Sequence, residues 1–134
     1  MKFLWLLVLG IIGLAAWVRL APSDATRWHV PVQGEADKDF KAGALRVFPG
    51  DPQVFAALDR IIRDTPRTKV LAGSTREGRI TYVTRSLLWG FPDYTTIELR
   101  DENIAVLGRL RFGRSDTGVN KARIDSWLRA LTSG

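Results

Sequence analysis

The chain has 134 residues, enough for about one domain, and no cysteine, which excludes a disulfide framework, thiolate chemistry and a lipoprotein anchor. Its formal charge is +6. Setting Lys2 and Arg19 aside leaves 18 basic and 14 acidic residues in 21–134, a surplus of four that permits an anionic partner without calling for nucleic acid.

Phe3 to Val18 is an uninterrupted apolar run of 16 residues, flanked by Lys2 and Arg19. As a helix it is about 24 Å long, slightly short of a bilayer core of about 30 Å; Arg19 can snorkel and let Leu20 and Ala21 extend it. Trp5 and Trp17 lie near its two ends, where aromatic rings favour the interface. The run is too long for a typical signal-peptide core, and Gly13-Leu14-Ala15 is a poor cleavage site, so an uncleaved single-pass anchor over 1–21 is expected, with a cleaved signal peptide as the competing reading. Lys2 and the amino terminus on the short side point to a cytoplasmic N-terminus, a cell-membrane location and a domain on the outer side.

Residues 22–42 are polar and carry Pro22, Pro31 and Gly34; they read as a tether with a short strand around Trp28–Val32. The domain is expected over 43–134. Ala44–Phe48 is strand-like. Asp51-Pro52 is an N-cap followed by proline at the first helical position, and Val54, Phe55, Leu58, Ile61 and Ile62 form one apolar helical stripe that ends before Pro66. Arg67–Ala72 and Arg79–Arg85 read as strands around a turn at Glu77-Gly78. Tyr94–Arg100 and Ile104–Phe112 read as a hairpin with its loop at Glu102-Asn103, pairing Leu99 with Val106 and Ile97 with Gly108. That register puts Ile97, Leu99, Ile104, Val106, Leu110 and Phe112 on one face and Arg109 and Arg111 on the other, beside Tyr94, Thr96 and Glu98. A final helix runs from about Gly118 to Leu131, with Ile124, Trp127, Leu128 and Leu131 on one face. The predicted fold class is α+β: an antiparallel sheet of about five strands with two helices packed on one face, preceded by one transmembrane helix.

Chemistry-bearing patterns are sparse. The single histidine, His29, lies in the tether; no metal-ligand spacing, nucleophile elbow, P-loop or dinucleotide fingerprint occurs, so no cofactor or metal is expected. The stretch Gly108 to Arg123 concentrates cations and glycines where a strand pattern gives way to a helix, which is how backbone amides and guanidinium groups hold an anion. It is equally the composition of a strand-to-helix turn braced by salt bridges. Asp93 and Asp116 could form an acid/base pair, or they could serve as an ion-pair partner of Arg85 or Arg111 and as a helix cap, respectively. Leu87-Leu88-Trp89-Gly90-Phe91-Pro92 is apolar for an inter-strand loop, which points to lipid or partner contact or to a plug over the core.

Arg85-Ser86, Gly90-Phe91-Pro92-Asp93 and Arg111-Phe112-Gly113-Arg114-Ser115-Asp116-Thr117-Gly118-Val119-Asn120-Lys121-Ala122-Arg123 together resemble the domain of unknown function 1499 family. Positions that often hold serine in the family's penultimate strand are Gly108 and Leu110 here, and the frequent early cysteine is absent. The resemblance implies a small, often membrane- or envelope-associated domain and no established activity.

The expected function is a non-catalytic, membrane-tethered binding module for a phosphate- or carboxylate-bearing ligand such as an anionic lipid headgroup. The expected site is Arg85, Arg109, Arg111 and Arg114 with Ser115, Asp116, Gly118 and Asn120. Two alternatives are a structural subunit or assembly factor docking on a membrane protein through Leu88, Trp89 and Phe91, and a hydrolase using Asp93 and Asp116.

Overall fold

The structure, a computed structural model, describes residues 1–133. Helix α1 spans Lys2–Leu20, and a single helical turn, α2, follows at Ala25–Trp28. The strands are β1 (Lys38–Phe40), β2 (Gly43–Pro49), β3 (Thr68–Ser74), β4 (Arg79–Arg85), β5 (Pro92–Leu99) and β6 (Asn103–Leu110); helices α3 (Pro52–Arg63) and α4 (Val119–Ser133) complete the chain. One antiparallel sheet contains all six strands in the order β1-β2-β6-β5-β4-β3. The fold class is α+β, as the sequence predicts, with one strand more than expected. The addition, β1, is three exposed residues on the sheet edge, too short to show an alternating pattern.

Local chemistry sets the helix starts. Asp51 caps α3 by accepting from the Val54 amide at 2.9 Å, with Pro52 at the first helical position. Asp24 caps α2 by accepting from the Thr26 amide at 2.9 Å. That cap wins over the strand expected at Trp28–Val32: the chain turns helically through Trp28 and then continues without a strand.

Both α3 and α4 pack on one face of the sheet. The core there joins Phe55, Leu58 and Ile62 of α3, Ile80 and Tyr82 of β4, Ile97 of β5, Ile104 and Val106 of β6, and Ile124 and Trp127 of α4. Each such side chain contributes about 1.5–3 kcal/mol on burial. The hairpin β5–β6 pairs Leu99 with Ile104 and Ile97 with Val106, two residues out of the expected register. Its turn is Asp101-Glu102, closed by the Arg100 amide on the Asn103 carbonyl at 2.8 Å. A two-residue shift preserves which side chains share a face, so the split between the apolar face and the arginine face is as read from sequence. Gly108 is required by packing: a Cβ there would lie 2.8 Å from Asn120 Oδ1 and 3.0 Å from Ile124 Cδ1, so its absence lets α4 settle on β6.

Candidate functional site

The second face of the sheet is covered by residues 21–34. Trp28 stacks on Tyr94 with ring centroids 4.0 Å apart and planes at 14°, a contact worth about 0.5–1.5 kcal/mol beyond area burial. His29 bridges Thr81 through Nδ1 at 2.8 Å and Glu77 through Nε2 at 2.7 Å. Val32 packs with Leu45 and Ala105, while its amide donates to Glu98 at 3.3 Å. Arg100 completes the seam by donating to the carbonyls of Gly34 at 2.6 Å and Val32 at 2.8 Å. Burial alone would raise the Glu98 carboxyl, but hydrogen bonds from Arg79, Arg100 and the Val32 amide outweigh it and hold the group below its usual range.

Two of the arginines expected to bind an anion are part of this seam. Arg109 donates through Nη2 to the Trp28 carbonyl at 2.6 Å and through Nη1 to Thr96 Oγ1 at 2.9 Å, and it lies 5.4 Å from the Trp28 ring. Burial pulls its pKa down to about 10, so it stays charged at neutral pH, stabilised by carbonyl and ring rather than by a carboxylate. Arg111 donates to the Pro22 carbonyl at 2.8 Å and the Tyr94 hydroxyl at 3.1 Å. A planar fork of donors suits such multiple carbonyl contacts.

The turn before α4 is organised from within. Asp116 accepts from the amides of Gly118 at 2.9 Å and Asn120 at 3.0 Å and from Asn120 Nδ2 at 2.9 Å. Burial opposes the charge of Asp116, yet these hydrogen bonds together hold its carboxyl below the usual range. Thr117 and Gly118 both have left-handed backbones, at φ 53° and 82°. Asn120 is fully buried and passes the network on to Arg123 at 3.2 Å, which pairs with Asp93 at 3.2 Å. Asp93 therefore pairs with Arg123, a residue one helical turn into α4, and not with Arg85 or Arg111. Burial raises the Asp93 carboxyl, with Arg123 opposing. The cluster ties α4 to β5 with its polar groups directed at one another. Arg114 and Ser115 are exposed on the turn, where Ser115 Oγ accepts from the Thr117 amide at 3.3 Å.

Cations that share an open surface occur elsewhere. A groove of about 500 Å3 is lined by Arg19, Arg67, Lys69 and Arg85, with Ser23, Ser86 and apolar side chains between them. No carboxylate lines it, and among the described residues none of the four cations is in an ion pair. The Arg85 amide donates to the Arg67 carbonyl at 3.0 Å and Arg67 Nε donates to the Arg85 carbonyl at 3.1 Å, so Arg67, just before β3, sits beside Arg85 at the end of β4. Arg67 holds a left-handed backbone at φ 58°, uncommon outside glycine. Arg85 Nη1 donates to the Gly90 carbonyl at 2.9 Å and the Val18 carbonyl at 3.3 Å, and Arg19 donates to the Leu88 carbonyl at 2.5 Å. Gly90, at φ 71°, passes so close to Arg19 that a Cβ would lie 2.7 Å from its Cγ. Of the predicted anion ligands only Arg85 belongs to this groove. The two cations of Arg67-Thr68-Lys69, at the start of a segment that reads as a strand, were the sequence signal for the other two. Arg19 gave none, because a cation ending an apolar helix already has a role.

Among the described residues, no group of three or more histidine, cysteine or carboxylate side chains is placed to hold a metal ion. The sequence profile of a family described as "Protein of unknown function (DUF1499)" matches residues 19–131. No curated protein matches the chain.

Proposed function

The chain belongs to the DUF1499 family, and since that kinship assigns no activity, we propose from the chain's own geometry that it is a membrane-tethered, non-catalytic module binding a phosphate- or carboxylate-bearing anion. The observation that carries this reading is the groove: four cations, no carboxylate, and Arg67 beside Arg85 where the β3–β4 pair begins. Like charges gathered in one groove repel, and a bound anion relieves that repulsion. Guanidinium groups engage phosphate or carboxylate oxygens bidentately, and the remaining N–H groups of Arg67 and Arg85 provide the donors.

Helix α1 is long and apolar enough to cross a membrane, with a mean hydropathy of 2.2 over its best window and 6% of that window buried in the protein. Its last turn lines the groove through Arg19, which makes an anionic lipid headgroup the most economical ligand. Lys2 and the amino terminus favour the cytoplasmic side, putting the domain on the outer face of the cell membrane.

The test is thermal unfolding of the full chain in detergent against inorganic phosphate and against short-chain phosphatidic acid. Saturation at 100 times the dissociation constant adds about 2.7 kcal/mol, a clear rise in Tm. A rise with both ligands that is lost in Arg67→Gln assigns the groove to free phosphate groups. A rise with the lipid alone assigns it to a headgroup. No rise with either removes the reading.

A further inference from the structure

Leu87, Leu88, Trp89 and Phe91 are 77, 71, 45 and 41% exposed, four large apolar side chains on one loop that the domain covers only in part. A contiguous apolar patch of this kind on a soluble surface marks contact with something apolar. The position of the patch says what. Leu88 accepts from Arg19 at 2.5 Å, and Arg85 Nη1 bridges the Gly90 and Val18 carbonyls at 2.9 and 3.3 Å. On the other side, Phe91 leans on Phe112 at 6.3 Å, and Phe112 meets Trp17 edge-on at 5.5 Å. The loop is thus fastened to the last turn of α1 by both polar and aromatic contacts.

That turn is where a membrane-crossing α1 leaves the bilayer. Its apolar run of 16 residues spans about 24 Å, against a hydrocarbon core of about 30 Å. A short span draws its flanking residues toward the hydrocarbon. Whatever is bonded to Trp17, Val18 and Arg19 is drawn in with them. The cations of the adjoining groove then lie at headgroup level, where anionic lipids attract basic side chains by about 1 kcal/mol each. Trp17, Trp89 and Phe91 supply the aromatic rings that favour the same depth.

We propose that the loop Leu87–Phe91 is a second membrane contact, inserted into the leaflet from which α1 emerges, so that the domain rests on the bilayer at two points in one orientation. The partner is the lipid surface itself. The proposal rests on α1 crossing the membrane and is independent of whether the groove takes an anion.

The chain has no cysteine, so a single introduced cysteine carries a unique label. The test is nitroxide labelling of Ile11→Cys, Leu88→Cys and Glu102→Cys in full-length protein. Each variant is reconstituted in nanodiscs of phosphatidylcholine with a phosphatidylglycerol minority, and collision rates with oxygen and with a water-soluble nickel chelate are measured. Glu102 lies at the far end of β5, about 25 Å from the loop. The expected result is an oxygen-to-nickel ratio at Leu88 several-fold above that at Glu102 and below that at Ile11, which sits mid-span in α1. A hydrocarbon signature at Ile11 with a watery one at Leu88 overturns the second contact while leaving the anchor standing. A watery signature at Ile11 overturns both the anchor and the proposal.

Discussion

Arg109 and Arg67 lie on the same face of the sheet and do opposite things. Arg109 is half-buried and spends its donors on Trp28 and Thr96, whereas Arg67 is exposed in a groove, with only Nε engaged, by the Arg85 carbonyl. Glu98 is the acid on which the covering seam depends, because it joins Arg79, Arg100 and the Val32 amide. Its folded-state pKa is depressed, so its contribution is fully present above the pKa of an unfolded glutamate, about 4.3, and is lost as pH falls through the lower folded value. Asp93 has the opposite sign. Its pKa is raised by burial, so the folded state takes up a proton first and gains stability as pH falls through that range. Unfolding midpoints measured from pH 7 down to pH 3 are therefore expected to lose part of their acid dependence in Glu98→Gln and to steepen in Asp93→Asn. The reverse pattern would contradict the assigned hydrogen bonds.

At the level of elements, legibility followed the strength of the local signal. The Asp51-Pro52 start and apolar stripe of α3 were readable because cap, proline and period agree. The faces of β5 and β6 were readable, but the register was not. Asp101, Glu102 and Asn103 all suit a tight turn, and a two-residue shift leaves the apolar pattern unchanged. The turn α2 hid because a four-residue helix has no period to detect. Gly108 shows what an element-level contact demands. Gly108→Ala is expected to push α4 off β6 at Asn120 and Ile124 and to cost about 1–3 kcal/mol, read as a lower denaturant midpoint at unchanged slope. A midpoint equal to that of the parent protein would mean that α4 does not pack there.

For the whole molecule, the segment read as a tether forms the second layer over the sheet. Composition disguised this: residues 22–42 are polar, and the only apolar side chains they bury are Trp28 and Val32, held by arginines that come from distant strands. The sequence pointed to the cations of Gly108–Arg123 and shared only Arg85 with the groove, since Arg19, Arg67 and Arg85 meet only through folding. Arg100, Arg109 and Arg111 hold residues 22–34, Arg67 and Lys69 point their charge into the groove, and Arg85 does both, through the Val18 carbonyl and the groove wall. The most direct measurement compares Arg111→Gln with Arg67→Gln for both Tm and affinity for short-chain phosphatidic acid in the full-length protein. Arg111→Gln is expected to lower Tm, from about 1–3 kcal/mol of lost hydrogen bonding, with affinity unchanged. Arg67→Gln, which removes one of the neighbouring like charges, is expected to keep or raise Tm and to lose affinity by tenfold, about 1.4 kcal/mol, or more. Affinity lost in Arg111→Gln and retained in Arg67→Gln would contradict the account.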